Sequence, residues 1–354
     1  MMTILGIESS CDETAAGIVR DGRELLSNAV ASSMNIHAQY GGVIPEIAAR
    51  SHIEAIMPVI QQALNDAALD WDDIDAIAVT YGAGLNGSLL IGVLAARTLA
   101  IVKNKPLYAV NHVEAHLYVN FITESNVPDI TPRSAQPEFP MLGIIVSGNH
   151  SQLVLFRNHF DYDILGQTWD DAIGEAFDKV AKIIGLPYPG GINVSRLAEQ
   201  GNPTAYKLPK ARMPGKYDFS FSGVKTAVLR TAQEAVGRDF SLPSIELPAM
   251  LNDTQKADIA ASFQQRACEV IVDKAVMAYE EFAPKSIVIG GGVAANSELR
   301  RQLAERLPIP IEYPSLKLCG DNGAMTATLG CFKAMLGAEK ADPYTLSSKP
   351  NLSM

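Results

Sequence analysis

Two histidines four residues apart, His112 and His116, lie in the stretch Tyr108-Ala-Val-Asn-His-Val-Glu-Ala-His116. A short apolar run precedes them and predicts a strand that leads into a helix. On a helix, four residues is close to one turn, so both imidazoles share a face and can reach one cation. Neutral imidazole suits zinc or iron. The chain has only six histidines, and two of them are here. The same spacing also suits two packed helix residues. A carboxylate that would complete a ligand set lies far away, Asp321 in Cys319-Gly-Asp-Asn-Gly-Ala-Met325, just before a predicted helix at 322–336. At that position it serves either as an N-cap or as a ligand that stays ionised readily. A zinc peptidase of the H-E-x-x-H type is disfavoured. Its glutamate directly follows the first histidine, whereas Glu114 follows by two and falls about 200° around the helix from His112.

Two polar turns carry further reactive groups. Ser9-Ser-Cys-Asp-Glu-Thr14 joins two predicted strands and offers Asp12 and Glu13 as acid–base groups. An acidic turn between buried strands is costly unless it is used or capped; a plain hairpin turn is the alternative. The second turn, Ser147-Gly-Asn-His-Ser151, offers His150. Gly290, Gly291 and Gly292 follow a predicted strand and suit close approach of backbone N–H groups to a nucleotide phosphate. No G-K-[ST] follows, so this is not a P-loop, and the dinucleotide fingerprint is absent from the first strand and turn. A basic stretch holds Lys207, Lys210, Arg212, Lys216, Lys225 and Arg230 against the single acid Asp218. Tyr206, Tyr217, Phe219 and Phe221 are interleaved, a mixture that suits phosphate contacts with base stacking, or a solvated surface loop.

The elements that must position these groups repeat. Strands are expected at 3–8 and 15–19 around the first turn, with a continuation over 24–32, then a helix at 46–63, a strand within 72–80, a glycine loop Gly82–Gly87, a small-residue helix at 88–103 and a strand at 106–110. The order returns with strands at 141–146 and 152–156 around the second turn, and later a strand at 286–290, a glycine loop and a helix from Ser297. A helical stretch at 170–179 and a long amphipathic helix at 257–282 lie between. This recurrence points to a duplicated α/β fold of two lobes facing each other across a cleft. The proline-rich stretch 120–140 reads as the boundary. The expected domains are 1–120, completed by the helix at about 322–336; 121–321, with an insertion at about 160–250; and a loop-like tail at 337–354.

Composition sets the remaining bounds. At 354 residues the chain can bury a large core. It is 47% apolar and 19% charged with a net charge of -10, which disfavours a general nucleic-acid coat but allows a local basic patch. Cys11, Cys268, Cys319 and Cys331 form no CxxC pair and no disulfide framework. With no signal peptide and no apolar run of transmembrane length, a cytoplasmic protein without membrane contact is expected.

Taken together, the motifs resemble those of the TsaD/Kae family, once called O-sialoglycoprotein endopeptidase. The resemblance covers about residues 3–336. It rests on Gly6-Ile-Glu-Ser-Ser-Cys-Asp-Glu-Thr14, His37-Ala-Gln-Tyr-Gly-Gly-Val-Ile-Pro-Glu46, Asn111-His-Val-Glu-Ala-His116, Asp170-Asp-Ala-Ile-Gly-Glu-Ala-Phe-Asp-Lys179, Tyr188-Pro-Gly-Gly191, Asp218-Phe-Ser-Phe-Ser-Gly-Val-Lys-Thr226, Gly290-Gly-Gly-Val-Ala-Ala-Asn296 and Asp321-Asn-Gly-Ala-Met325. It implies the duplicated actin/Hsp70/sugar-kinase (ASKHA) fold. It implies transfer of threonylcarbamoyl from threonylcarbamoyl-AMP to N6 of the adenosine 3′ to the anticodon in tRNAs reading ANN codons. It implies one Fe2+ or Zn2+ held by His112, His116 and Asp321, and substrate contacts at Ile145, Val146, Ser147, Gly148, Asn149, Asp178, Gly191 and Asn296. The acidic turn Asp12-Glu13 matches a segment the family needs for activity. The implied partners are tRNA, a TsaB-like paralogue, a TsaE-like ATPase and a TsaC/Sua-type synthase that supplies the adenylate. Two departures stand out. The family's S-G-G-H turn is Ser147-Gly-Asn-His150, with Asn149 expected to need a left-handed backbone, and its G-P-G-L loop is Gly82-Ala-Gly-Leu85. A non-catalytic nucleotide-binding scaffold and a small-molecule kinase of the same fold are the alternatives. The set of three ligands weighs against the first, and Glu8-Ser9-Ser10 in place of Asp-x-Gly against the second.

Overall fold

The structure, a computed structural model, describes all 354 residues as two compact units, Met1–Pro137 with Glu312–Met354, and Glu138–Ile311. The first unit contains β1 (Thr3–Glu8), β2 (Glu13–Arg20), β3 (Glu24–Ser32), α1 (Met34–Ala38), α2 (Pro45–Asp66), β4 (Ala76–Gly82), α3 (Asn86–Val102), β5 (Leu107–Asn111), α4 (His112–Tyr118) and the two-residue β6 (Glu124–Ser125). The second contains β7 (Met141–Val146), β8 (Ser151–Asn158), β9 (Asp161–Gln167), α5 (Ile173–Ile184), α6 (Gly190–Ala198), α7 (Ser222–Ala235), α8 (Leu247–Met250), α9 (Asp253–Phe282), β10 (Ser286–Gly290) and α10 (Ser297–Arg306). The chain then returns to the first unit for α11 (Gly323–Met335). No helix is long and apolar enough to cross a membrane.

The duplication is visible in the sheets. The first runs β5-β4-β1-β2-β3-β6 and the second β10-β7-β8-β9. In each, a parallel strand flanks one side of the opening hairpin and an antiparallel strand flanks the other. The pattern β4-β1-β2-β3 therefore recurs as β10-β7-β8-β9, the duplicated actin/Hsp70/sugar-kinase architecture. The expected strand at 72–80 begins only at Ala76, because Asp70 caps the short turn Trp71–Asp73 with reciprocal side-chain bonds, Asp72 N to Asp70 Oδ1 (2.8 Å) and Asp70 N to Asp73 Oδ2 (3.0 Å).

The first unit extends to residue 137 rather than 120, and resumes at 312 rather than about 322. Side chains and a strand hold the proline-rich stretch to it. β6 pairs with the start of β3, and the Arg133 guanidinium donates to Asn120 Oδ1 (3.2 Å) and the Glu312 carbonyl (2.6 Å). β9, α6 and α7 were not expected from the sequence. In α7 only Val224, Val228, Ala232 and Gln233 are buried, too thin a stripe to stand out in a basic segment. His37 is buried in the short helix α1.

α11 packs on β1, β2 and β4 with its backbone almost touching the sheet. Gly6 and Gly17 are register partners on β1 and β2. A Cβ at Gly6 would lie 2.2 Å from Ala327 N, one at Gly17 2.5 Å from Ala324 N, and one at Gly323 2.1 Å from Gly17 N. No side chain fits there, so this face fixes where α11 begins. Gly17→Val should lower unfolding stability by roughly 2–3 kcal/mol in urea titration, and the loss should exceed that of Ala16→Val, because the side chain at 16 points to the opposite face, into the cluster with α2, whereas one at 17 is driven into the α11 backbone.

Candidate metal centre and nucleotide cavity

α4 starts at His112 because Asn111 caps it, its Oδ1 accepting from Val113 N (2.8 Å) and Glu114 N (3.3 Å). His112 and His116 therefore share a face, with ring centroids 4.7 Å apart and the rings edge-on at 71°. α11 is capped by Asn322, whose Oδ1 accepts from Met325 N (2.9 Å). The capping role considered for Asp321 thus belongs to its neighbour, and Asp321 faces the histidines. Its Oδ1 lies 3.4 Å from His116 Nε2 and 3.7 Å from His112 Nε2. One donor atom from each of the three residues lies within 4.8 Å of the others.

Behind His112 stands Glu8, which the sequence marks as part of the Glu8-Ser9-Ser10 turn but gives no reason to link to the histidines. It is fully buried at the end of β1. Its Oε2 lies 3.3 Å from His112 Nδ1 and accepts from the Thr80 hydroxyl (2.5 Å), while Oε1 accepts from Ser10 N (2.6 Å). Burial alone would push this carboxyl up, but the His112 charge and these donors bring it down to about 2. An ionised acceptor at Nδ1 leaves Nε2 of His112 directed at Asp321, the arrangement that orients metal-binding imidazoles. For His112 itself, burial works downward, and Asp321 and Glu8 override it, raising the pKa to about 9.

The acidic turn adjoins this set. Burial first, then the charges of Asp321 and Asp12, raise Glu13 to about 9; its Oε1 accepts from the Ser32 hydroxyl (3.0 Å). Burial likewise lifts Asp321 to about 6. His52 on α2 fixes the turn from behind: Nε2–H donates to the Cys11 carbonyl (3.0 Å), and Nδ1 accepts from the Thr14 hydroxyl (2.7 Å). Burial lowers its pKa, consistent with this neutral tautomer. Two imidazoles, a carboxylate and nearby acids that repel one another fit a borderline divalent cation such as iron or zinc. Glu114 is buried on the same helix, and burial raises it to about 7 against the opposing charge of Lys333.

In the second unit, a cavity of about 530 Å³ is lined by Gly148, Asp178, Gly191, Gly292 and Asn296, among others. This brings together five of the residues expected to bind substrate or nucleotide. Asp178 Oδ1 accepts from Gly190 N (2.7 Å). Burial raises its pKa, and the N–H groups of Gly190 and Gly191 oppose the shift. The Asn296 amide is already committed: Oδ1 caps α10 through Leu299 N (2.9 Å), and Nδ2 donates to Ser195 Oγ (2.7 Å) and Gln264 Oε1 (2.9 Å). Gly291, at φ +99°, has room for no Cβ beside the Val146 carbonyl, 2.4 Å away. Gly290 ends β10. Ile145 and Val146, expected to contact substrate, are wholly buried in β7 and paired with its neighbouring strands, so they present no surface to a ligand. The Ser147–Ser151 stretch satisfies the start of α5, whose N-cap residue Ala172 offers no side-chain acceptor: Ser147 O and Gly148 O accept from Gly174 N and Glu175 N, both at 3.2 Å, and Ser151 Oγ from Ile173 N (3.0 Å). Asn149 is exposed and is not among the residues with positive φ, so the turn makes no left-handed demand on it. His150 is half-buried in the same turn.

The basic stretch is largely neutralised within its own unit. Lys210 pairs with Glu269 (2.6 Å) and Asp273 (2.7 Å), Lys225 with Asp171 (2.8 Å), and Lys216 with Glu281. Lys207 and Arg212 are exposed. Tyr217, Phe219 and Phe221 are buried, so the base stacking expected of them is not available; Phe219 lies against Phe221, and Tyr217 against Phe282 of α9.

Comparison with known proteins agrees with this geometry. Residues 24–328 match the family model described as TsaD, tRNA N6-adenosine threonylcarbamoyltransferase. The chain is 47% identical over 345 residues to a protein of that name from Thermomicrobium roseum, covering 95% of this chain and 93% of that one. It is 44% identical over 353 residues to another from Dehalococcoides mccartyi, covering 100% and 99%. Among solved structures, HypF from T. kodakarensis matches with a TM-score of 0.60 at 14% identity over 95% of this chain and 48% of that one, a likeness of fold.

Two measurements check the centre. Glu8→Gln should weaken binding of Zn2+ by about 10- to 100-fold in chelator competition, because the group that orients His112 loses its charge. In the wild type, Zn2+ affinity should rise by about tenfold per pH unit between roughly pH 6.5 and 8.5. His112 keeps its proton up to about 9 and must release it to coordinate, whereas Asp321, at about 6, is already ionised across that range.

Proposed function

Because this chain belongs to the tRNA N6-adenosine threonylcarbamoyltransferase (TsaD) family, we propose that it transfers the threonylcarbamoyl group of threonylcarbamoyl-AMP to N6 of the adenosine 3′ to the anticodon in ANN-reading tRNAs. The observation that carries this reading is identity of 44–47% along nearly the whole length of relatives bearing that name.

His112, His116 and Asp321 would hold one Fe2+ or Zn2+ ion, which supplies Lewis acidity to a carbonyl or carboxylate when bound. The chain's own groups do the rest. Adenine N6 forms a bond to the carbamoyl carbon, the bond from that carbon to the phosphate oxygen breaks, AMP departs and N6 gives up a proton. The cavity of about 530 Å³ in the second unit suits a nucleoside monophosphate. Asp178 offers an acceptor for ribose hydroxyls, and the Gly291–Gly292 and Gly148 backbones offer donors to phosphate. The fixed Asn296 amide keeps the wall of this seat rigid. An exocyclic amine is a weak nucleophile, so positioning contributes as much as proton transfer. In the turn that carries Asp12 and Glu13, the surroundings of Glu13 favour a proton near neutral pH. Neutralising the nearby negative charge would lower that pKa and so favour the ionised form, which accepts a proton from N6. His150 is a second group for proton movement. Lys207, Arg212 and the ion-paired Lys210, Lys216 and Lys225 are the cations offered to tRNA phosphates. Family membership supports a TsaB-like paralogue, a TsaE-like ATPase and a TsaC/Sua-type synthase as partners.

The test supplies preformed threonylcarbamoyl-AMP, unmodified ANN-reading tRNA and the partner proteins, then digests the tRNA and reads threonylcarbamoyladenosine by mass. Product is expected only when this protein is present. His112→Ala should lose bound metal and at least about 100-fold of the transfer rate together. Normal transfer by metal-free His112→Ala would remove the metal from the reaction.

A further inference from the structure

The stretch after α11 was expected to be loop. It is instead bound along the first unit by a series of hydrogen bonds. Ala341 N donates to the Leu107 carbonyl of β5 (2.8 Å). The Arg97 guanidinium on α3 then gathers three carbonyls, Nε to Pro343 O (2.6 Å), Nη2 to Tyr344 O (2.6 Å) and Nη1 to Leu346 O (3.1 Å). Leu346 packs against the core of the unit. The chain next reaches the glycine loop that follows β4. Lys349 N donates to Tyr81 O (2.6 Å), and Gly84 N donates to Pro350 O (3.1 Å). The contact is close enough that a Cβ at Gly82 would lie 2.2 Å from the Lys349 carbonyl.

From there two separate routes lead to His112. On one, Leu85 N of the glycine loop donates to the Ser10 carbonyl (2.8 Å), and Ser10 Oγ lies 3.1 Å from His112 Nδ1 while Ser10 N holds Glu8. On the other, Ser353 O accepts from Asn111 Nδ2 (3.0 Å), and the Oδ1 of that same amide caps the helix that carries both histidines. One ligand is thus held both through the partner of its Nδ1 and through the cap of its helix, and the same segment anchors both. We infer that residues 342–353 are a positioning strap that sets the geometry and affinity of the metal centre by fixing His112. This inference rests on the metal reading of the preceding subsection.

The physical argument is one of preorganisation. Metal affinity falls when a ligand must be ordered at the moment of binding, and the groups around ligands are as influential as the ligands themselves. Backbone carbonyls gathered by one arginine anchor the first half of the strap, and the Tyr81, Gly84 and Asn111 contacts anchor the second.

Cobalt(II) is the probe, added to the full-length apo chain and followed by its visible absorption. Two variants release the strap at different points, and neither residue is a ligand. Arg97→Ala removes three donors, and Lys349→Pro removes the single N–H that Tyr81 O accepts. Each should weaken cobalt affinity by about tenfold, shift the absorption band, and open residues 342–354 to limited proteolysis, with the unfolding midpoint of the rest of the chain close to wild type. Rapid cleavage of the strap with unchanged affinity and spectrum in both variants would overturn the inference. Should Arg97→Ala fail to fold, Lys349→Pro alone decides on the same readouts. The metal reading is tested separately by His116→Ala. If the wild type binds no cobalt, or binds it no better than His116→Ala, that reading fails and takes the strap's role with it; if only the strap variants behave as wild type, the strap alone fails.

Discussion

The first unit depends on one buried charge. Glu8 has no exposed surface, and an ionised carboxylate in such a place is tolerated only when its oxygens are satisfied. The donors come from four places in the chain: the turn after β1 (Ser10), β4 (Thr80), α4 (His112) and α11 (Thr326, 3.4 Å). Each of those elements is held in the position that keeps the charge paired, so the requirement of one carboxylate becomes the geometry of the site. With the pKa lowered from 4.5 to about 2, its contribution is present above about 4.5 and lost as pH falls toward 2.

The second constraint is steric and acts on the far side of the ligand set. Asp321 is brought to the histidines by the place where α11 starts, and α11 starts where the glycines of β1 and β2 allow backbone to meet backbone. A helix that stood off by one more side-chain layer would carry Asp321 and Thr326 away together. Asparagine caps recur at the helices that matter: Asn111 for α4, Asn296 for α10 and Asn322 for α11. Each amide satisfies a helix end with a neutral group, and at α11 this leaves the adjacent aspartate with its charge uncommitted.

Local pattern and distant partner account for what was legible in the sequence. The strand–turn–strand openings, the glycine loop before α10 and the histidine pair are local, and periodicity and spacing expose them directly. Glu8 was not legible, because its donors at Thr80, His112 and Thr326 lie 72, 104 and 318 residues away. The basic stretch misled for the same reason. Its lysines are matched by acids of α9 and by Asp171, none of which adjoins them in sequence, and the aromatics between them turn inward. Residues 342–353 looked like loop because their order comes from backbone carbonyls collected by Arg97, which leave no mark on residue type.

The two units show how duplicated topology is put to different chemical uses. Both open with a hairpin whose turn stands at the same end of the same strand pair. In the first, the turn carries Asp12 and Glu13, is braced by His52 and Glu8, and gathers negative charge beside two imidazoles. In the second, the equivalent turn is Ser147-Gly-Asn-His150, with no acid, and its carbonyls take up the first N–H groups of α5. An acid at the second turn would repel any anion placed there, whereas the acids at the first add to the carboxylates of Asp321 and Glu8 around the imidazoles. The backbone of the fold is common to both units, and they differ at these turns in that only the first carries acids.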